Sequence, residues 1–93
     1  MNMSTFVIKI SEFRGNNDEN VNDLAEFLQG KMDAKMNVAS SEITLNYENR
    51  GEVPPKTYLR VLLRKFLHKA ELKEEFRVIS GKENVFIIKE RKQ

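Results

Sequence analysis

The apolar residues of this chain follow two different spacings, and each spacing predicts a kind of element. From Phe6 to Ile10 every second residue points an apolar side chain to the same side. A spacing of two is typical of a strand with one buried face, so we predict a strand over Thr5–Ser11. From Val21 to Met32 the apolar residues recur every three or four positions instead, which predicts an amphipathic helix.

The loop before this helix, RGNNDEN, carries the signals of a helix start. Asn17, Asp18 and Asn20 are candidate N-caps, because short polar side chains accept hydrogen bonds from the first free N–H groups. Acidic residues near the start suit the helix dipole, which explains the group that contains Glu19 and Asp23 without a bound cation. The spacing of these carboxylates also lacks the alternating oxygen ligands of a calcium loop.

The middle of the chain predicts two more strands and a second helix. A short strand at Val38 and a firmer one over residues 43–47 are joined by a Ser-Ser turn, and the apolar residues of the firmer strand share one face. Pro54 and Pro55 suit the first turn of the helix that follows, because backbone N–H groups have no helical partner there.

The last part of the chain predicts a β-hairpin. Phe76 and Val78 share one face of its first strand. Phe86 and Ile88 share one face of its second strand, and Gly81 lies in the loop between the two strands.

Together these elements predict an α+β fold with the order β-α-β-β-α-β-β. We expect a two-layer sandwich in which both helices pack on one face of a mostly antiparallel sheet. A chain of 93 residues is expected to form a single domain, residues 1–93. The predicted core combines apolar residues of the two helices and of the strands: Phe6, Ile8, Leu24, Leu28, Ile43, Leu45, Leu59, Leu62, Leu63, Phe66, Leu67, Phe76, Val78, Phe86 and Ile88.

The composition narrows the class of protein. The chain has no Cys, which excludes disulfides and thiolate metal sites. It has no apolar run long enough to span a bilayer, and its start, MNMSTFVIKI, lacks the features of a secretory signal. We therefore expect a cytoplasmic protein with no membrane partner.

Charge is distributed unevenly along the chain. The net charge is only +2. Residues 1–49 contain four basic and eight acidic side chains, whereas residues 50–93 contain twelve basic and six acidic ones. An acidic half and a basic half bear on the choice and steering of partners rather than on the fold.

The second helix, KTYLRVLLRKFLHK, concentrates the basic charge. Its apolar residues form one stripe for the core. A second stripe on the opposite side contains Lys56, Arg60, Arg64 and His68, with Lys65 and Lys69 at its edges. No acid interrupts this face, although solvated helix faces usually mix acid with base. Either a merely solvated face or a phosphate-binding face explains the pattern, with Arg as a bidentate ligand and Lys as a point charge.

A collinear set of motifs extends across the chain. YLRVLLRKFLHK (Tyr58–Lys69) is followed by FRVI (Phe76–Ile79). EVP (Glu52–Pro54) stands just before this helix, and FLQ (Phe27–Gln29) lies in the first helix. Spread over residues 6–91, these motifs resemble the eukaryotic large-ribosomal-subunit protein 22 family, which shows a tyrosine-leucine-basic start, doubled basic pairs and a leucine-arginine-valine strand.

The resemblance implies a structural RNA-binding protein of the large ribosomal subunit, which contacts folded ribosomal RNA through phosphates. It also implies that members bind separate structured RNA hairpins. The family's basic helix positions fall on Arg60, Arg64, Lys65, His68 and Lys69, and its strand arginine falls on Arg77. With the first residue of the basic stripe added, the candidate RNA-binding residues are Lys56, Arg60, Arg64, Lys65, His68, Lys69 and Arg77.

The sequence differs from eukaryotic members of that family in three respects. The long basic N-terminal tail and the acidic C-terminal tail are absent from it. The segment between the two helices is several residues shorter and lacks a glycine run, and Glu75 stands where those members carry tryptophan. We therefore expect a short, tail-less member of the family.

The residues give no support to an enzyme. His68 is the only histidine, and neither a nucleophile nor an orienting carboxylate lies near it in sequence. A metal site would need carboxylates gathered around a residue of the basic stripe, and the chain has no glycine-rich phosphate loop. We expect no catalytic residue, metal ion, cofactor or small-molecule substrate.

The open face of the predicted sheet is a rival RNA-binding surface. The side chains expected to point away from the helices are Lys9, Thr44, Asn46, Arg77 and Lys89. The aromatic residues of the strands all fall on the inward register, so stacking of bases on the sheet is not expected. The alternative function, from a different class, is a protein-interaction module whose basic helix binds an acidic partner protein.

Overall fold

The structure is a computed structural model that describes residues 5–14, 18–32, 34–47 and 53–91. Its elements follow one another as β1 (Thr5–Lys9), α1 (Ser11–Arg14), α2 (Asp18–Lys31), β2 (Lys35–Val38), β3 (Glu42–Asn46), α3 (Lys56–Lys69), β4 (Phe76–Ser80) and β5 (Val85–Glu90). The α+β class is confirmed, and the predicted order is confirmed except for the additional short helix α1.

The five strands form one mixed sheet in the order β2-β3-β1-β5-β4. The central strand β1 runs antiparallel to β3, where Phe6 lies opposite Leu45, and parallel to β5, where Ile8 lies opposite Phe86. The other two pairings, β2 with β3 and β4 with β5, are antiparallel. The prediction of a mostly antiparallel sheet is therefore confirmed, and β4 lies at one edge.

The core lies between one face of this sheet and the helices. Every predicted core residue is buried except Val78, which is partly buried and packs against the others. In α2 the buried residues Val21, Leu24 and Leu28 are three or four positions apart, as an amphipathic helix requires. The residues of the predicted apolar stripe of α3 are buried in the same core.

The short helix α1 corrects the sequence-based prediction, which extended the first strand to Ser11 and then expected a loop. Strand β1 ends at Lys9, and the next residues form a single helical turn. This turn buries Phe13, whose ring lies edge-on to Phe66 at 6.2 Å and to Phe76 at 5.0 Å between centroids. A single turn is too short to show a helical spacing in the sequence, so nothing in the pattern could reveal it.

The predicted helix KTYLRVLLRKFLHK matches α3, but the two prolines that were expected in its first turn lie before it. The helix begins at Lys56, and Pro55 is its N-cap with an extended backbone. The carbonyl of Pro55 accepts a hydrogen bond of 3.0 Å from the backbone N–H of Tyr58. Helical conformation is disfavoured for a residue that precedes a proline, such as Pro54, and this favours a helix start after the pair. The helix α2 begins at Asp18, and the candidate N-cap Asn17 lies outside the described residues.

Candidate nucleic-acid interface

The outer face of α3 is exposed over most of its length. The side chains of Arg60, Arg64, Lys65 and His68 all lie in solvent there, together with the side chain of Val61, which is 47% exposed. The apolar stripe holds the opposite side of the helix against the core, and this fixes the direction in which the basic side chains leave it. Packing of the helix therefore determines where its positive charge is displayed.

A groove runs between α3 and the edge strand β4, with a volume of about 600 Å³. We call it the α3–β4 groove. Five of the predicted RNA-binding residues line it: Arg60, Arg64, Lys65, His68 and Arg77. The two buried side chains Leu67 and Phe76 contribute apolar surface to the same groove. No acidic residue lines it among the residues that the structure describes.

Two further basic residues line the α3–β4 groove, Lys73 from the turn after α3 and Arg91 from the end of β5. Neither residue is among the predicted RNA-binding residues. In an antiparallel hairpin the end of the second strand lies beside the start of the first, and Glu90 indeed pairs with Phe76. The predicted hairpin therefore contained the signal that places Arg91 beside the start of β4, whereas its approach to α3 depends on how the hairpin packs.

Lys56, a predicted binding residue, does not line the α3–β4 groove. It is partly buried, its Nζ donates a hydrogen bond of 3.1 Å to the carbonyl of Gly81, and this atom lies 5.4 Å from the ring centre of Phe86. Positions four apart are displaced by about 40° around a helix at each step, because a turn contains about 3.6 residues. The basic stripe therefore winds around α3, and its first member turns toward the sheet instead of lying opposite the core.

Lys69, also predicted to bind RNA, faces α2 rather than β4. Its Nζ lies 6.0 Å from the ring centre of Phe27, and the residue lines a second groove of about 420 Å³ with the acidic residues Asp23 and Glu26. Lys31 approaches the same ring at 5.9 Å. Lys69 therefore shares the second groove with two acidic residues, which distinguishes it from the residues of the α3–β4 groove, whose charged side chains are all basic.

Two other kinds of site, a membrane-spanning helix and a metal-binding cluster, are absent from the described residues. No helix in residues 5–14, 18–32, 34–47 or 53–91 is long and apolar enough to cross a membrane. The same residues contain no group of three or more His, Cys, Asp or Glu side chains that could hold a metal ion.

Comparison with known proteins identifies the family. The sequence profile of the ribosomal L22e protein family matches residues 1–89 of the 93-residue chain, and no curated protein matches it. The match spans the sheet, the helices and nearly all of the hairpin that forms the α3–β4 groove. Proteins of this family are structural components of the large ribosomal subunit and not enzymes. The chain therefore belongs to the ribosomal L22e family and is a structural protein of the large ribosomal subunit.

Proposed function

We propose that this protein binds ribosomal RNA of the large subunit in the α3–β4 groove and contacts the phosphates of a folded RNA. One observation carries the proposal: the charged side chains that line the groove are all basic, and they come from α3, β4, the turn between them and the end of β5. A single basic helix face is common, whereas a concave surface that gathers cations from four parts of the chain is not explained by solvation.

The electrostatics of the groove support an anionic ligand. Like charges held close together repel one another, and the groove offers no acidic side chain among the described residues to offset this. An RNA backbone supplies closely spaced negative charges and releases condensed counterions when lysine and arginine neutralise them. Arg60, Arg64 and Arg77 can bind phosphates through two parallel hydrogen bonds, and Lys65 acts as a point charge.

The distribution of aromatic rings supports recognition of folded RNA rather than of an unpaired strand. Proteins that bind single strands stack bases on exposed aromatic side chains. On β1, β4 and β5 the rings of Phe6, Phe76 and Phe86 are buried in the core. Tyr58 is the only exposed phenylalanine, tyrosine or tryptophan ring among the described residues, and it does not line the α3–β4 groove. Contacts to phosphates and to RNA shape remain the available mode.

The same groove accounts for the wider function that we propose. Separate structured RNA hairpins present the same backbone phosphates as a ribosomal RNA helix, so the α3–β4 groove would bind them by the same contacts. We propose that residues 1–93 act as one RNA-binding domain on cytoplasmic ribosomes. Lys56 and Lys69 do not line the groove, and we do not include them among its phosphate contacts.

Sedimentation of ribosomal subunits tests the proposed function. The untagged protein should migrate with large subunits at moderate salt, and Arg60→Glu with Arg64→Glu should move it to the light fractions while its circular dichroism spectrum stays unchanged. A matched reversal at Lys31 and Lys35, outside the groove, should leave the protein with the subunits. If the groove variant still migrates with the subunits, the groove is not the site. If the wild-type protein appears only in fractions without RNA, bound to an acidic protein, RNA binding is the wrong function.

A further inference from the structure

Arg91 is fixed at one end of the α3–β4 groove by hydrogen bonds to the backbone. Its Nε donates to the carbonyl oxygens of Lys73, at 2.8 Å, and of Phe76, at 3.3 Å. The backbone N–H of Arg91 donates a third bond of 2.7 Å to the carbonyl of Glu75. The turn after α3 and the end of β5 are thereby joined, and the plane of the guanidinium group is set by the turn.

These bonds leave the binding capacity of Arg91 largely unused. They occupy Nε alone, whereas the bidentate grip of arginine on a phosphate can use the two Nη groups. An exposed arginine must be ordered before it can bind, and this ordering opposes binding. The backbone bonds have already ordered Arg91, so binding of a ligand to its Nη groups would not carry this entropy cost.

The charge of Arg91 is not offset by these contacts, because both acceptors of its side chain are neutral carbonyl oxygens. Glu74 and Glu75 are exposed in the same turn, but neither lines the groove. The two cations that line the groove from this part of the fold are Lys73, whose own carbonyl holds Arg91, and Arg77 on the adjoining strand. Three cations gathered without an acidic neighbour in the groove attract an anion.

We propose that Arg91, with Lys73 and Arg77, forms a preformed site for one phosphate of the RNA backbone at the turn end of the α3–β4 groove. The inference rests on the proposed function and adds to it a contact made outside α3. An RNA helix that met both α3 and Arg91 would contact two separate parts of the groove. It would therefore be held in one orientation, which contacts along a single helix do not determine.

Binding of an RNA hairpin over a salt series tests this site with three variants. Arg91→Gln removes both the charge and the pair of Nη donors, whereas Arg91→Lys keeps the charge and removes only the paired donors. The control, Lys82→Gln, removes one exposed charge from the β4–β5 loop. We expect Arg91→Gln to weaken binding about tenfold, as loss of one charge-assisted contact does. Its slope of log affinity against log salt should fall by roughly 0.7 to 0.9, the value for one phosphate contact.

The other two variants separate binding from a structural role. Arg91→Lys should lose affinity but keep most of the salt slope, and Lys82→Gln should match the wild type in both. If Arg91 serves only to join the turn to β5, both Arg91 variants will lower the melting temperature and weaken binding alike, with the wild-type slope retained. That result would overturn the inference.

Two more measurements distinguish the Arg91 site from the contacts made by α3 and from a site that binds only free phosphate. If the double variant Arg60→Gln with Arg64→Gln weakens RNA binding while Arg91→Gln behaves like the control, only the Arg91 site is wrong. If neither the double variant nor Arg91→Gln changes RNA binding, the proposed function is wrong as well. In the wild-type protein, the Nε–H resonance of Arg91 should shift on addition of the hairpin at stoichiometric amounts. A shift with inorganic phosphate alone, and none with the hairpin, would show an anion site that RNA does not use and would contradict the inference.

Discussion

At the scale of single residues, the ring of Phe66 connects the helices to the core. It is 5% exposed and lies 6.2 Å from the ring centre of Phe13 in α1 and 5.5 Å from that of Phe27 in α2. The helical spacing of α3 predicted its burial. The spacing could not predict its partner Phe13, because that residue reaches the core from one helical turn. Burial followed from the sequence pattern, whereas the ring partners depended on the tertiary structure.

Replacement of Phe66 by alanine should destabilise the fold strongly. Removal of a buried aromatic ring costs about 3 to 5 kcal/mol, through lost burial and the cavity that remains. Denaturant titration measures this loss, and Val61→Ala on the exposed face of the same helix provides the control, with an expected change within about 0.5 kcal/mol. A loss at Phe66 no larger than that of the control would show that the core of α3 is misassigned.

Glu71 ends α3 in a conformation that suits glycine. Its φ is 60°, and the backbone N–H groups of Glu71 and Leu72 donate to the carbonyls of His68 and Leu67, as in a Schellman motif. A left-handed backbone strains a side chain with a Cβ, and a negative charge at a helix C-terminus is unfavourable.

Glu71→Gly should therefore stabilise the protein by about 0.5 to 1 kcal/mol, because the left-handed strain that it relieves exceeds the backbone entropy that glycine loses on folding. The measurement is the free energy of unfolding in denaturant. Glu74→Gly, in the same turn but without a positive φ, should be neutral or destabilising. Destabilisation by both variants to the same extent would show that Glu71 is not strained.

At the scale of elements, α3 serves both the core and the α3–β4 groove, and its first residue joins it to the β4–β5 hairpin. The sequence predicted the strands and both long helices, because their apolar spacings are regular. Five of the predicted RNA-binding residues line the groove. Two others, Lys56 and Lys69, do not, because the basic stripe winds around α3 and its ends face away from the groove. The sequence-based prediction missed Lys73 and Arg91, because their approach depends on how the hairpin packs against α3 and not on any local pattern.

Lys56→Ala should affect stability rather than RNA binding. Loss of its hydrogen bond to Gly81 and of its position over Phe86 should cost about 1 kcal/mol, a value that allows for its partial exposure. Denaturant titration measures the cost, and a salt series with the RNA hairpin should give the wild-type slope. A fall in the slope by roughly 0.7 or more would show that Lys56 does contact a phosphate.

At the scale of the whole molecule, the two grooves that flank α3 differ in charge, because one is lined by cations alone and the other contains acidic residues. The exposed residues Asp23 and Glu26 lie on α2, and the basic residues of the α3–β4 groove lie between α3 and β4. The chain order predicted an acidic and a basic half, and the structure shows that the basic half also forms a concave surface. A protein with this asymmetry should approach RNA groove first, because charge steers the encounter.

The central claim is that the α3–β4 groove, rather than the overall charge, binds folded RNA. Its most direct test is the RNA affinity of Arg60→Glu with Arg64→Glu across a salt series, using a structured hairpin and a single strand of equal length. The control is Lys31→Glu with Lys35→Glu, the same change in charge outside the groove. We predict that only the groove pair loses most of its affinity for the hairpin, with a salt slope reduced by roughly 1.4 to 1.8 for two lost contacts. Equal losses in the two pairs, or tighter binding of the single strand by the wild-type protein, would contradict the account.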